Sequence, residues 1–207
     1  MKFYAGVKFL LSGFFKIIYN LNIHNADRVP DTGRYVVVSN HISLGDVIIL
    51  GISCERQIHF MAKQELFKVP ALAQLIRLLG AFPVDRKGSA SSALKTAIKV
   101  LKDDNIVGLF PQGTRCRNIS VEDTVFKNGA AFCITKSSSG FIPVFIKTKG
   151  QKFGLFKRCD IYYGQPVEFS ALIDESNENI DYDKITQQIK NAVFELEKHA
   201  YGGKYNG

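Results

Sequence analysis

Tyr35-Val36-Val37-Val38-Ser39-Asn40-His41-Ile42-Ser43-Leu44-Gly45-Asp46 carries the architecture of this chain in miniature. The apolar run from Tyr35 to Ser39 reads as a strand, and Val47-Ile48-Ile49-Leu50 just downstream reads as a buried helix. The residues between them make a strand-to-helix turn. On a regular α-helix, residues five apart point about 140° away from each other, so His41 and Asp46 can meet only across a turn. Gly45 is predicted to supply the backbone freedom for it. Locally, two readings stand. One is a base held by its orienting acid at the mouth of a strand. The other is a helix start, with Ser43 accepting from first-turn amides and Asp46 complementing the helix dipole.

Outward from this unit, short apolar runs alternate with helical patterns, with no internal repeat and no low-complexity linker. Strands are expected at Tyr35 to Ser39, Gln57 to Met61, Ala81 to Val84, Ile106 to Phe110, Phe141 to Ile146 and Asp160 to Tyr163. Helices are expected at Val47 to Ser53, Ala71 to Leu79, Ser91 to Lys102, Gly129 to Ser137 and Tyr182 to Lys198. The alternation predicts an α/β fold, a single domain with a mixed, largely parallel central sheet flanked by helices. With 207 residues and 46% apolar content, the chain has material for one proper core.

Lys and Arg number 27 against 19 Asp and Glu, a net charge of +8, which calls for an anionic partner: nucleic acid, a phosphate metabolite or an acidic membrane leaflet. Nucleic acid fits poorly, because the basic residues are not interleaved with stacking aromatics and the 16 phenylalanines concentrate in apolar runs. Cys54, Cys116, Cys133 and Cys159 are scattered, with neither a CxxC pair nor a His/Cys cluster, so a reduced context without a metal site is expected.

Residues 1–22 are predicted to form an amphipathic helix ahead of an α/β domain at 23–207. Phe3, Val7, Leu10, Leu11, Phe14, Ile18 and Leu21 fall on one broad face, and Lys2, Lys8, Ser12 and Lys16 share the other, with Phe9 on the wrong side. Lys8 and Lys16 interrupt the apolar run well below the roughly 20 residues a spanning helix needs, and no small-residue cleavage site follows. A core-packing helix and a helix lying in an anionic membrane interface both fit; lysines facing so many large apolar residues favour the interface.

Two further loops attract anions. Phe110-Pro111-Gln112-Gly113-Thr114-Arg115-Cys116-Arg117 follows a strand end and combines a glycine, a hydroxyl and two arginines. Gly80-Ala81-Phe82-Pro83-Val84-Asp85-Arg86-Lys87-Gly88 ends a short strand in an acid, two bases and a glycine. Each is also readable as a polar loop with solvated arginines or arginines paired to Asp85 or Asp123.

In order along the chain, Asn40-His41 with Asp46, Gly80 to Arg86, Phe110 to Arg115, and Ile142-Pro143-Val144 resemble the glycerolipid acyltransferase family that makes phosphatidate from lysophosphatidate. Met61 to Leu66 and Phe126 to Ala131 resemble family segments as well, so the likeness runs from about Tyr35 to Pro166. The resemblance implies that His41 and Asp46 are the catalytic dyad. It also implies that Arg115, then Lys63 and Arg86, hold the acceptor's phosphate, that Gly113 and Thr114 shape the loop, and that Pro143 walls an acyl or acceptor pocket. It calls for neither metal nor nucleotide, because an acyl thioester of coenzyme A or acyl carrier protein brings the activation. It implies a lysophospholipid substrate and a peripheral or monotopic position at the cytoplasmic face of a membrane with anionic lipids. Two positions depart from the family pattern: Gln112 stands for the usual Glu and Cys116 for the usual Ser, and the lost charge at Gln112 is expected to weaken any ion pair orienting an arginine.

Other acceptors, such as a different lysophospholipid or glycerol 3-phosphate, remain within reach of the same motifs. A lipid hydrolase would need a Gly-x-Ser-x-Gly elbow, which the chain lacks. A non-enzymatic basic membrane-surface module is the distant alternative.

Overall fold

A computed structural model describes residues 20–84, 90–148, 157–173 and 180–203, together with Gly13 and Ile18. The run Tyr35–Ser39 is β2, and all five of its residues are buried. The elements in order are β1 Leu21–His24, β2, α1 Gly45–Ser53, β3 Ile58–Lys63, α2 Pro70–Leu78, β4 Phe82–Val84, α3 Ala90–Lys102, β5 Ile106–Leu109, α4 Gly129–Ser137, β6 Gly140–Thr148, β7 Cys159–Tyr163 and α5 Tyr182–Ala200.

Seven strands form one sheet in the order β1-β7-β6-β2-β5-β3-β4, parallel throughout except for the antiparallel pair β6 and β7. This is the mixed, largely parallel α/β sheet that the alternating pattern predicts. Helices cover both faces, which is why the central strands are nearly continuous apolar runs. On one face Val36, Val38, Phe141 and Phe145 pack with Leu101, Ile134, Ile189 and Val193 from α3, α4 and α5. On the other, Val37, Ile142, Val144 and Ile146 pack with Ile49 and Leu50 of α1. Successive β2 side chains thus feed opposite cores, as the two-residue period requires.

The span 1–22, expected to be helical, ends in two residues that are strand instead. Leu21 and Asn22 belong to β1, where Leu21 pairs with Cys159 and His24 with Tyr162, rather than to the end of an N-terminal helix. Leu21 and Ile23 pack against the α1-side core, a hold that a helical continuation would forfeit. Gly13 and Ile18 are helical and Asn20 is in a turn; the other residues before Leu21 lie outside the described residues.

From β2 the chain builds β3 and β4 on one side, returns to place β5 beside β2, and then crosses to lay β6 on β2's other flank. The direction of winding therefore reverses at β2. In open α/β sheets the crevice outside the carboxyl ends of the strands at such a point is where ligands bind. His41 stands there.

Candidate active site

Between the end of β2 and the start of α1 the backbone turns at Ile42 to Leu44 and aims two side chains at each other. His41 Nδ1 lies 2.7 Å from Asp46 Oδ2. The same carboxylate oxygen accepts the backbone N–H groups of Ile42 at 2.7 Å and Ser43 at 2.9 Å. Asp46 is fully buried and its second oxygen, Oδ1, has no partner. A carboxylate so held fixes the proton on His41 Nδ1 and leaves Nε2 as the ring's basic nitrogen. No described residue bonds Nε2, and the His41 side chain keeps 16% of its surface open. Base orientation and loop closure are therefore one device: Asp46 sits in the first turn of α1 and its carboxylate closes the loop behind His41 without capping the helix. Gly45 does not make the turn, contrary to expectation; it is the first residue of α1 and is not among the positive-φ glycines. Leu44 before it is already in the right-handed helical region, so the three residues Ile42 to Leu44 absorb the change of direction.

Buried polar groups brace this loop. Asn40 donates from Nδ2 to the Ile146 carbonyl at 3.0 Å and accepts the Ile146 N–H at 2.8 Å, prolonging the β2–β6 ladder with a side chain. The His41 ring stacks on Phe110, centroids 4.2 Å apart and 19° from parallel. Phe110 follows β5, the parallel neighbour of β2, so two adjacent strand ends deliver ring and platform together. At the far end of α1, Ser53 and the buried Tyr163 hydroxyl lie 2.6 Å apart, tying the helix that carries Asp46 to β7. Burial pushes the Tyr163 phenol far above its ordinary range, so it holds this bond in its neutral form.

Gln112, expected to weaken any ion pair orienting an arginine, has a different partner. Its Oε1 accepts the backbone N–H of His41 at 2.7 Å, and its Nε2 donates to Thr124 Oγ1 at 3.2 Å. Thr124 in turn donates to the Val121 carbonyl at 2.9 Å. Gln112 is 5% exposed, so an amide, satisfied at both ends without charge, fits this socket. Sequence alone shows neither partner; the separation of 71 positions between His41 and Gln112 is closed up by the β2–β5 pairing.

The rest of this loop is open. The Gly113 N–H bonds the Phe110 carbonyl at 3.0 Å, with Pro111 pre-set for the turn and Gly113 at φ +68. A Cβ on Gly113 would stand 3.1 Å from the Lys127 ammonium, so Lys127 lies directly over this glycine. Gly113, Thr114 and Arg115 are exposed, and the Cys116 N–H returns to the His41 carbonyl at 2.8 Å. Arg117 donates to the Ile42 carbonyl at 2.9 Å, so it supports the dyad loop. Lys63 ends β3, exposed, at the same sheet edge as His41. Residues 85–89, with Arg86, lie outside the described residues. Pro143 is buried inside β6, and its carbonyl accepts from the Gly164 N–H at 2.9 Å. Its missing N–H falls opposite Gly164, just past the end of β7, which is how a central strand tolerates a proline. The structure thus gathers His41, Asp46, Gly113, Thr114, Arg115 and Lys63 at one sheet edge, and adds Lys127, Gln112 and Asn40. Lys127 and Asn40 were legible as parts of motif-like segments, without roles.

Among the described residues no group of His, Cys, Asp or Glu is arranged to hold a metal ion. Cys54, Cys133 and Cys159 are buried and only Cys116 is partly open; burial pushes the Cys133 and Cys159 thiols up to about 12.

The model of the Acyltransferase family matches residues 20–147. The 1-acyl-sn-glycerol-3-phosphate acyltransferase of Bacillus subtilis is 31% identical over 193 residues, covering 88% of this chain and 95% of that protein. The protein of the same name from Streptococcus pneumoniae is 32% identical over 167 residues, 78% of this chain and 61% of the relative. Among solved structures, that of the 1-acyl-sn-glycerophosphate (LPA) acyltransferase PlsC from Thermotoga maritima shares the fold, with a TM-score of 0.70 at 24% identity over 95% of this chain and 82% of the other. A buried dyad on the reversal point of the sheet, a family match over residues 20–147 and a relative 31% identical along 95% of its length together show that this chain belongs to the acyltransferase family.

Proposed function

We propose that the chain moves a fatty acyl group from an acyl thioester, on coenzyme A or an acyl carrier protein, to the sn-2 hydroxyl of 1-acylglycerol 3-phosphate, giving phosphatidate. The observation that carries this reading is the 2.7 Å bond between His41 Nδ1 and the buried Asp46, which leaves Nε2 aimed away from its acid. Nε2 takes the acceptor's hydroxyl proton as that oxygen attacks the thioester carbonyl, and Asp46 stabilises the imidazolium that forms. Collapse of the tetrahedral intermediate breaks the carbon–sulfur bond, and the imidazolium returns the proton to the departing thiolate. No covalent acyl-enzyme is needed. Arg115, Lys63 and Lys127 are the cations at this edge suited to the acceptor's phosphate, with Arg86 a fourth by resemblance, while Gly113 and Thr114 keep the loop low enough for close approach. The names of the Bacillus and Streptococcus relatives support this acceptor.

The expected working place is the cytoplasmic face of a membrane. No helix among the described residues is long and apolar enough to cross one. The amphipathic residues 1–22 and the net charge of +8 support a peripheral or monotopic contact with anionic lipid.

The test is a purified-protein assay crossing 1-acylglycerol 3-phosphate, other lysophospholipids and glycerol 3-phosphate with both thioester carriers, for the parent and His41→Ala. Phosphatidate formation by the parent, falling on the order of 10²- to 10⁴-fold in the variant, is expected. Undiminished turnover without the imidazole would remove His41 from the mechanism, and turnover confined to another acceptor would move the assignment to that lipid.

A further inference from the structure

We infer that the segment from Gln64 to Leu78 is a docking surface for an anionic lipid bilayer, separate from the N-terminal residues, that seats the His41 edge of the sheet on the membrane. This rests on the lipid acceptor proposed above. α2 reads Pro-Ala-Leu-Ala-Gln-Leu-Ile-Arg-Leu, yet only Ala73 is buried. The other two nine-residue helices, α1 and α4, bury five and six residues each. In the short 3-10 segment Gln64–Lys68 that precedes α2, no residue is buried. α2 leans on that segment and makes no comparable packing against the sheet. Leu66, Val69 and Leu75 are 40%, 53% and 42% exposed. Val69, Leu72, Leu75 and Ile76 share a helical face by their three- and four-residue spacing. Apolar side chains on one helix face, left uncovered, mark an interaction site.

Charge selects the occupant. Lys68 and Arg77 stand among these residues, with Lys63 adjoining, against the single acid Glu65, and the Arg77 guanidinium lies 5.4 Å from the centre of the Phe67 ring. Cations beside apolar side chains match a leaflet in which headgroup anions overlie hydrocarbon. A second copy of the chain would set the same cations against each other across a two-fold axis, and the N-terminal residues would bring Lys2, Lys8 and Lys16 to them. Position agrees: the segment follows directly on Lys63, the carboxyl end of β3, and Leu44, in the turn that carries the dyad, is 72% exposed on the same edge. A bilayer under this edge would present its lipids at the mouth of the site.

The experiment compares the full chain with Leu66→Asp/Val69→Asp/Leu75→Asp and with Lys68→Glu/Arg77→Glu. Each is sedimented with vesicles of phosphatidylglycerol and phosphatidylcholine or of phosphatidylcholine alone. Each is also assayed on a vesicle-borne acceptor and on a short-chain acceptor dissolved as monomers. The triple variant should lose at least about tenfold in vesicle partitioning and in turnover of the vesicle-borne acceptor, at unchanged turnover of the dissolved one. The charge variant should lose binding to the anionic vesicles only. Thermal melts matching the parent confirm that these exposed substitutions leave the fold intact. Parent-like sedimentation of the triple variant overturns the proposal. So does a loss of self-association with vesicle binding unchanged, which would make the occupant a second copy. Absence of turnover on every acceptor, dissolved ones included, counts against the proposed reaction instead, and the vesicle-binding result still decides the docking surface.

Discussion

His41 reaches its working orientation through three neighbours that hold different parts of it. Asp46 holds the ring nitrogen, Phe110 the ring face and Gln112 the main-chain N–H. Because Gln112 bonds the backbone, it acts as a positioning residue. Gln112→Ala leaves the His41 N–H unpaired in a nearly closed setting, a loss of about 1–3 kcal/mol that should appear as a roughly 10- to 100-fold fall in kcat. KM for the acceptor should move far less, and an equal change in KM would show that Gln112 touches substrate. Gln112→Glu should cost part of that loss, because Thr124 must abandon the Val121 carbonyl to donate to the new carboxylate oxygen. At this scale the sequence was legible where chemistry is local: a histidine and an aspartate five apart can be reasoned about with backbone geometry alone. Gln112 could not be read in the same way. One partner, His41, is brought near only by the pairing of β2 with β5, the other, Thr124, sits in a loop, and a side chain's direction out of a loop follows from tertiary contacts.

The helices and strands expected from periodicity appear within a few residues of their observed bounds because each presents a full apolar face; in α5, Ile185, Ile189, Val193 and Leu196 are all buried. β1 is too short to stand out. Its four residues alternate Leu-Asn-Ile-His, an apolar face of only two side chains, and the pairing with β7 that holds it, with Leu21 against Cys159, lies beyond any local window. α2 was legible as a helix but not as one that leaves its apolar side uncovered, since a pattern of side chains does not say what packs on it. Element packing makes its own demand at Gly140, the first residue of β6. A Cβ there would stand 2.6 Å from the Val167 carbonyl oxygen and 2.7 Å from the Tyr35 ring. The Val167 backbone is held in a bridge to Phe141 and cannot retreat. Gly140→Ala should therefore destabilise the fold by about 1–3 kcal/mol, read as a Tm lower by several degrees. An unshifted Tm would mean that β6 can slide away from the bridge.

For the whole molecule, acid stability draws on titratable groups outside the dyad. Burial holds the His59 imidazole below its ordinary value, against weaker opposing bonds to Gly80 and Asn105. As pH falls below about 6.5 the unfolded chain takes up a proton that the folded chain refuses, so stability declines until the folded imidazole also titrates. Burial pushes the Asp160 carboxyl up, but the bonds from Arg158 and His24 outweigh it and hold it below the usual range. Its contribution is present above the ordinary carboxylate value and is lost as pH drops through the depressed one. Denaturant titrations from pH 7 to 3 should show a decline in two stages, and His59→Gln should flatten the first alone. A decline unaffected by that substitution would assign the loss to other groups. The cysteines described above carry a different consequence for the molecule. Three sulfurs are sealed in its interior, and the fourth, Cys116, stands in the loop whose N–H grips the His41 carbonyl. The chain thus comes with one natural point of chemical attachment beside its base, and a fluorophore placed there would sense lipid arriving at the site without any residue being engineered.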